Sequence, residues 1–258
     1  MEQLEITKNL KAAQASASIS SMMYAPMSET LADYGLGGVD CPRCKNTGQL
    51  IERGPALLEL HVYECPCMKQ RRSLRSLRKA GMEDMARRYT LENYITDSKH
   101  REAVKNAALK FLESSAGWFF IAGQSGSGKT HICIAICTAL IEKYSREVFF
   151  MPWRDVSTSL KTGVKEREWY EAQMNKLKTV PVLYIDDFLK GGANEADLRL
   201  AFEILNSRYN DTGLRTIISS ETDLAGITAL DEAIGGRIYE RCRGFAVIAP
   251  QENWRFRS

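Results

Sequence analysis

The chain has 258 residues, a length that fits one large α/β domain with a small appendage. Its 44% hydrophobic and 26% charged residues are typical of a soluble globular protein, and the net charge of +3 is too small to indicate nucleic-acid binding by itself. The first 30 residues contain no apolar run long enough for a signal peptide or a membrane span, so we expect a cytoplasmic protein without membrane contact.

Four cysteines lie near the beginning of the chain, after a polar segment (residues 1–35) that predicts at most a short helix. They form two short motifs, Cys41-Pro-Arg-Cys44 and Cys65-Pro-Cys67. Four thiolates on two tight turns are enough for a closed tetrahedral Zn²⁺ site, which would supply the folding energy that a segment without a core lacks. His61 is an alternative ligand, and reduced cysteines without metal are the competing explanation.

A basic run follows at residues 69–79, with six basic residues and no acidic one. In a helix, Arg71, Arg75 and Arg78 share one face and could follow a DNA backbone. An equally good interpretation is an amphipathic helix that packs through Leu74 and Leu77. Residues 81–99 have the pattern of a linker.

From Trp118 onward, apolar runs alternate with helical stretches. The runs predict five strands at 118–122, 148–151, 182–185, 216–219 and 245–249. Helices are predicted between them at 130–144, 155–178 and 195–210. Short apolar strands separated by helices indicate an α/β fold with a five-stranded parallel sheet that is covered on both faces.

A phosphate-binding loop connects the first of these strands to the next helix. The segment GQSGSGKT has the pattern G-x-x-x-x-G-K-T, in which glycines let backbone N–H groups face phosphate oxygens at a helix N-terminus. Lys129 is expected to reach the β- and γ-phosphates of ATP, and Thr130 to offer its hydroxyl to Mg²⁺. The predicted nucleotide-binding residues are Gly123, Gln124, Ser125, Gly126, Ser127, Gly128, Lys129 and Thr130.

A P-loop needs an acidic partner at the end of a buried strand, and VPVLYIDD at residues 180–187 supplies one. Asp186 is expected to hold Mg²⁺ through water, and Asp187 to orient or deprotonate the attacking water. The competing explanation is a strand-terminal turn capped by aspartate.

The cysteine motifs, the basic linker, GQSGSGKTH and VLYIDD together resemble AAA+ replicative helicase loaders of the DnaC/DnaI type, whose core is shared by IstB transposition helper ATPases. The resemblance covers roughly residues 36–258. It implies a helicase-interacting domain with zinc at residues 1–80 and an AAA+ ATPase domain at residues 81–258. It also adds His131 to the nucleotide-binding residues.

The same resemblance assigns several further residues. The segment RRYTLENYI at 87–95 would lie near the adenine. Arg241 would be the arginine finger that reaches the γ-phosphate of a neighbouring subunit, with Arg237 as the alternative. Arg255, in competition with Arg257, would contact the γ-phosphate of its own chain.

Two positions depart from the family pattern. Glu221 stands at sensor 1, where the family often has asparagine, and Asp187 replaces the usual Walker B glutamate. Both would serve catalysis, but a carboxylate at Glu221 repels phosphate and the shorter Asp187 favours slow, partner-regulated hydrolysis.

The expected function is therefore ATP-dependent loading of a DnaB-like replicative hexameric helicase. The N-terminal domain would bind the helicase, while the AAA+ core would bind ATP and single-stranded DNA and self-associate through AAA+ interfaces. An IstB-like transposition helper, and an ATP-binding adaptor without significant hydrolysis, are the alternatives.

Overall fold

A computed structural model of the chain describes residues 41–54 and 59–250. The helix predicted within residues 1–35 and the candidate residues Arg255 and Arg257 lie outside these ranges. The chain divides into two compact units between Leu74 and Arg75, whereas the domain boundary expected from the sequence follows residue 80. The extent of independently folding domains stays a prediction.

The first unit contains a two-stranded antiparallel sheet. Strands β1 (Gln49–Arg53) and β2 (Leu60–Glu64) pair with Ile51 opposite Val62. The buried residues described in this unit centre on the cysteines, with Leu50 packed against them. The sequence predicted turns around the cysteines and no core, whereas the structure has a hairpin and a small buried cluster around the thiols.

The second unit is built on a parallel sheet. Its strands are β3 (Trp118–Ala122), β4 (Val148–Pro152), β5 (Val182–Asp186), β6 (Arg215–Ser220) and β7 (Ala246–Ile248). They lie in the order β4-β5-β6-β3-β7, and each pair of neighbours is parallel. The predicted five-stranded parallel sheet is confirmed. Every residue of β3 and β6 is buried, as continuous apolar runs in a two-sided sheet require.

Helices cover this sheet and extend before it. They are α1 (Cys67–Lys79), α2 (Glu83–Arg88), α3 (Lys99–Glu113), α4 (Lys129–Glu142), α5 (Trp153–Gly163), α6 (Arg167–Thr179), α7 (Glu195–Asn210), α8 (Leu224–Leu230) and α9 (Glu232–Arg241). The helix after the P-loop, α4, is apolar on all sides and almost wholly buried. Within the part of the chain that the structure describes, no helix has the length and apolarity to cross a membrane.

One predicted helix, at residues 155–178, is wrong as a single element. The structure has α5 and α6 with a turn between them, in which the Glu166 N–H donates to the Gly163 carbonyl at 2.9 Å. Gly163 has low helix propensity and leaves room for the chain to fold back, because a Cβ there would lie 2.3 Å from Trp169 Cζ3.

The linker predicted at residues 81–99 is also wrong in part. This segment contains α2 and buries Met82, Leu91 and Tyr94, each 5–7% exposed. Its apolar residues are too widely spaced to form a run, which is why the sequence pattern did not predict the packing. Helix α3, which follows, was missed as well.

A buried arginine connects α7 to the beginnings of two strands. Arg208 is fully buried and donates to the carbonyls of Leu177 at 3.0 Å, Val180 at 2.9 Å and Arg215 at 2.8 Å. Its Nε donates to Thr216 Oγ1 at 3.0 Å. Burial lowers the pKa of Arg208 to about 9. These bonds hold the amino ends of β5 and β6 against α7 and so help to fix where their carboxyl ends lie.

Candidate nucleotide-binding site

The predicted P-loop joins β3 to α4 at the carboxyl edge of the sheet. Gly123 has φ of +154° and Gly128, which caps α4, has φ of +92°, values that side chains rarely allow. A Cβ at Gly123 would lie 2.9 Å from the Ala249 Cβ. The Gly123 N–H also donates to the Ser220 carbonyl at 3.1 Å, so the loop is tied to β6. The backbone therefore turns at the N-terminus of a helix, where anions bind.

Lys129 points into this loop. It is 4% exposed, and its Nζ donates to the carbonyls of Gly123 at 2.7 Å and Gln124 at 2.9 Å. Burial lowers the pKa of Lys129, while the carboxylates of Asp187 and Glu221 oppose that shift. The ammonium group is thus held where the loop would surround a phosphate.

The two residues predicted to share Mg²⁺ lie together. Asp186 ends β5, and its Oδ1 accepts from Thr130 Oγ1 at 3.4 Å and from Ser219 Oγ at 2.7 Å. The buried Tyr184 hydroxyl also donates to this oxygen, and burial followed by the Asp186 charge raises the pKa of Tyr184. A carboxylate and a hydroxyl beside a phosphate loop are ligands that suit Mg²⁺. Ser219 and Tyr184 were not identified from the sequence.

Asp187 and Glu221 lie at the ends of neighbouring strands and meet at one side chain. The Asp187 N–H donates to Ser219 Oγ at 3.0 Å, which fixes the turn after β5. Lys190 Nζ lies 2.8 Å from Asp187 Oδ2 and 2.9 Å from Glu221 Oε1. Sequence reasoning missed Lys190; its one signal was a lysine three residues after the predicted catalytic aspartate.

An open cavity of about 370 Å³ extends from the P-loop to the segment before the core. Tyr89, Asn93 and Tyr94 line one part of it, and Ser125, Lys129 and Asp187 line another. This volume is in the range of small-molecule sites. The structure thus brings the segment 87–95 next to the predicted P-loop.

His131, in the first turn of α4, contacts that segment. Its ring stacks on Tyr89 with centroids 4.6 Å apart and meets the edge of Tyr94 at 5.2 Å. Its Nε2 lies 3.0 Å from the Thr90 carbonyl and 3.0 Å from Asn93 Oδ1. Burial lowers the pKa of His131. The aromatic rings beside the loop offer flat apolar surface of the kind that a purine base stacks on.

The two candidate finger residues lie on α9, away from the P-loop of their own chain. Arg241 Nη2 lies 3.4 Å from the carbonyls of Asp211, Thr212 and Leu214, and its guanidinium is 5.7 Å from the Trp118 ring. Trp118 begins β3, so Arg241 lies at the amino ends of the strands. The P-loop lies at their carboxyl ends, about 15 Å away along β3.

Arg237 is held more firmly than Arg241. Its Nε donates to Asn206 Oδ1 at 3.0 Å and its Nη1 to the Ala233 carbonyl at 2.8 Å. The guanidinium also lies over the Phe202 ring, 4.7 Å from its centroid. Arg237 thus has shorter contacts than Arg241, and the choice of finger between the two stays a prediction.

The four predicted zinc ligands form a cluster in the first unit. All four Sγ atoms lie within 4.8 Å of one another, with 3.7 Å between Cys41 and Cys65 and 3.6 Å between Cys44 and Cys67. Tetrahedral Zn–S bonds of about 2.3 Å place the sulfurs about 3.8 Å apart, so the cluster fits zinc. Burial and the neighbouring thiols raise the pKa of Cys67 to about 12, whereas at Cys41 burial is outweighed by hydrogen bonds from Cys44 and its neighbours, which lower the pKa to about 7.

His61 is not part of the cluster, and its prediction as an alternative ligand is wrong. It lies on β2, and its Nε2 contacts Glu59 Oε1 at 3.2 Å. His61 lies within a regular strand, whose side chains point alternately to its two faces. The cysteines lie instead in the turns before and after the hairpin.

The three-arginine DNA face predicted on α1 is also corrected. Arg71 is 1% exposed and donates to Asn46 Oδ1 at 2.7 Å, an oxygen that also accepts from the Cys41 N–H at 2.9 Å. The Arg71 guanidinium therefore lies inside the unit, where its hydrogen bond to Asn46 supports the turn that carries Cys41. Arg75 and Arg78 are exposed, and Arg78 pairs with Glu83 at 3.0 Å. Leu74 and Leu77 are buried, as the amphipathic interpretation requires.

Together these features define an α/β protein with a P-loop nucleotide site at the carboxyl edge of a parallel sheet. A family model described as IstB-like ATP binding protein matches residues 56–245, which is more than half of the chain. The chain belongs to this ATP-binding family, and its second unit has the AAA+ fold.

The chain is also similar to individual proteins of known sequence or structure. The phage-like element PBSX protein XkdC of Bacillus subtilis (strain 168) is 31% identical over 225 residues, covering 81% of this chain and 82% of the relative. An ATP-binding protein of insertion sequence IS21 from Pseudomonas aeruginosa is 29% identical over 176 residues, 64% of each chain. A crystal structure of the DnaC helicase loader has a TM-score of 0.55 at 19% identity, covering 64% of this chain and 98% of that one. The resemblance to the DnaC/DnaI and IstB type is confirmed.

Proposed function

We propose that the chain is an ATP-dependent loader of a replicative hexameric DNA helicase. The observation that carries the proposal is the presence, in one chain, of a P-loop site and a separate four-cysteine unit with an exposed hairpin. The likeness to the DnaC helicase loader supports the same reading at the level of the fold.

ATP would bind along the cavity beside the P-loop. Lys129 and the loop N–H groups would hold the phosphates, and Tyr89 and Tyr94 would contact the base. Thr130 and Asp186 would hold Mg²⁺, which neutralises the phosphate oxygens when bound. The contact of 3.4 Å between Thr130 Oγ1 and Asp186 Oδ1 supports this assignment. Ser219 also donates a hydrogen bond to Asp186 Oδ1.

Hydrolysis would be slow in the isolated chain. Asp187 is the candidate for positioning water, and its carboxylate is paired with Lys190. Arg241 would act on the γ-phosphate of a neighbouring subunit, because it lies far from the P-loop of its own chain. Self-association through AAA+ interfaces would then couple the ATP state of one subunit to the next.

The four-cysteine unit would hold zinc and bind the helicase. Zinc in this closed set would have a structural role, because all four positions are filled by thiols. On the hairpin, Ile51, Leu60 and Val62 are 37%, 45% and 56% exposed, and Ile51 and Val62 are direct cross-strand partners. Exposed apolar side chains grouped on a small unit mark a protein-binding surface.

Single-stranded DNA binding by the core stays a prediction. With Arg71 turned inward, the exposed basic residues of α1 are Lys69, Arg75, Arg78 and Lys79. A reduced basic face would give a weaker salt dependence of DNA affinity than three arginines would.

A second candidate is a transposition helper ATPase of the IstB kind. The family description and the IS21 relative favour it. A third is an adaptor that binds ATP without significant hydrolysis, which the pairing of Asp187 and Glu221 with Lys190 favours.

A binding experiment separates these candidates. The purified chain is incubated with the replicative helicase of its host, or with an IS21-type transposase, in the presence and absence of ATP. The loader proposal expects a stable complex with the helicase, and weaker capture by Val62→Asp, which places a charge on the exposed hairpin. Glu52→Ala, on the neighbouring exposed strand, is the matched control and should bind as the natural chain does. Capture of the transposase but not the helicase would contradict the proposal.

A further inference from the structure

Lys190 lies at the phosphate end of the site, between the carboxylates of Asp187 and Glu221. Its Nζ lies 2.8 Å from Asp187 Oδ2 and 2.9 Å from Glu221 Oε1, and its side chain lines the nucleotide cavity. One ammonium group thus joins the two carboxylates that follow β5 and β6. The hydrogen bonds that Lys190 donates to Asp187 and then to Glu221 raise the pKa of Lys190, so it stays charged.

The backbone that carries Lys190 is tightly held. Asp187 and Leu189 adopt φ of +51° and +56°, and the Lys190 N–H donates to the Asp187 carbonyl at 3.1 Å. The Phe188 N–H donates to the Ser219 carbonyl at 2.8 Å, and Phe188 is fully buried. Left-handed conformations at residues other than glycine cost energy and persist where the surrounding structure imposes them. This turn directs Lys190 back toward the end of β5.

The ion pairs add little to the stability of the fold. The side chains of Lys190, Asp187 and Glu221 are 40%, 37% and 33% exposed, and pairs this exposed contribute little in solution. Their effect on a bound anion is different, because Glu221 without a cation would repel phosphate directly. A γ-phosphate would bring the strongest negative charge to this position.

We propose that Lys190 is a positioning residue of the nucleotide site, which neutralises Glu221 so that a γ-phosphate can bind beside it and holds Asp187 in place for hydrolysis. The proposal rests on the ATP-binding function and deepens it. It gives Glu221, the carboxylate at the sensor 1 position, a defined role as the partner of a lysine in the same site.

The test measures ATP and ADP affinity of the purified full chain with Mg²⁺. For Lys190→Ala we expect a loss of about tenfold in ATP affinity, the size of one charge pair in a partly solvated site, and a change of less than about twofold for ADP. Adding Glu221→Gln should restore ATP affinity to within about threefold of the natural chain, because the repulsion is removed. Lys190→Arg keeps the charge and should bind ATP nearly as the natural chain does.

The rate of ATP hydrolysis distinguishes the two proposed tasks of Lys190, which are to neutralise Glu221 and to hold Asp187 in place. The double variant should bind ATP but turn over at least about fivefold more slowly than Lys190→Arg, because Asp187 has lost its cation. Lys178→Ala is the matched control, since Lys178 pairs with Glu203 at 2.6 Å on helices away from the site. All variants should melt within about 3 °C of the natural chain.

Three results would overturn the proposal. The first is unchanged ATP affinity in Lys190→Ala, and the second is a double variant that binds ATP no better than the single one. An equal loss for ATP and ADP would also overturn it, because that indicates general damage to the phosphate loop. Each of these leaves ATP binding by the natural chain and helicase capture intact, so failure of this inference is distinct from failure of the loader proposal.

Discussion

A single carboxylate oxygen, Asp186 Oδ1, receives the hydrogen bonds that organise the nucleotide site. It accepts from Ser219 Oγ, Thr130 Oγ1 and the Tyr184 hydroxyl, which come from two strands and the P-loop helix. Because Tyr184 is fully buried, Asp186 can move little. The position of a metal ion held by this carboxylate would therefore be set before the nucleotide arrives.

Replacing that carboxylate tests its role. We expect Asp186→Asn to lower ATP affinity by about tenfold or more with Mg²⁺ and to leave it nearly unchanged with a chelator, because the amide is a poor Mg²⁺ ligand. Titration of a fluorescent ATP analogue under both conditions measures this. An equal loss with and without Mg²⁺ would mean that Asp186 serves the fold and not the metal.

Arg241 is the residue whose effect should depend on neighbouring subunits. Arg241→Ala should bind ATP normally, but its hydrolysis rate per subunit should no longer rise with protein concentration. Arg237→Ala is the comparison, because Arg237 is held by Asn206 and the Phe202 ring. If the hydrolysis rate of Arg241→Ala still rises with protein concentration and that of Arg237→Ala does not, the assignment of the two arginines is reversed.

Among the elements, α7 carries a fully buried arginine, Arg208. Its donors serve carbonyls before β5 and in β6, so Arg208→Ala leaves several buried acceptors without partners. We expect a loss of about 3 kcal/mol in the free energy of unfolding, seen as a fall of roughly 6–12 °C in melting temperature. Arg199→Ala, on the exposed side of the same helix, should change melting by less than about 2 °C. Equal effects of both would contradict the bonding role of Arg208.

The hairpin and its cysteine turns should depend on metal, whereas the sheet should not. We expect a strong chelator, or Cys65→Ser, to unfold the first unit and to leave ATP affinity within about twofold of the untreated chain. Circular dichroism, limited proteolysis and metal analysis measure the outcome. A chain that contains no zinc and keeps the hairpin protected would contradict the zinc assignment.

The strands were predictable because each contains a short apolar run, as strands of a parallel sheet usually do. The break between α5 and α6 was not, since it depends on Trp169 packing against Gly163. The segment around Tyr94 read as a linker because its contacts are with α4, far along the chain. Local pattern therefore predicted elements whose burial repeats along the sequence, and failed where a distant contact decides the structure.

At the scale of the whole molecule, some parts of the nucleotide site follow from local sequence pattern, and others depend on contacts between distant parts of the chain. The P-loop and Asp186 could be read from contiguous motifs, because each motif carries its own backbone geometry. The ion pairs of Lys190 depend on β5 and β6 being neighbours, which only the sheet order reveals. The inward turn of Arg71 depends on Asn46, across the cysteine cluster. These side chains acquire their roles from the assembled fold.

The most direct test of the loader account is deposition of the replicative helicase on circular single-stranded DNA covered with single-strand binding protein. The account predicts that helicase becomes bound and starts unwinding only when the chain and ATP are both present. The Lys129→Ala variant should fail, while Lys178→Ala should support loading at the natural rate. Loading that is equally fast without the chain, or with Lys129→Ala, would contradict an ATP-dependent loader.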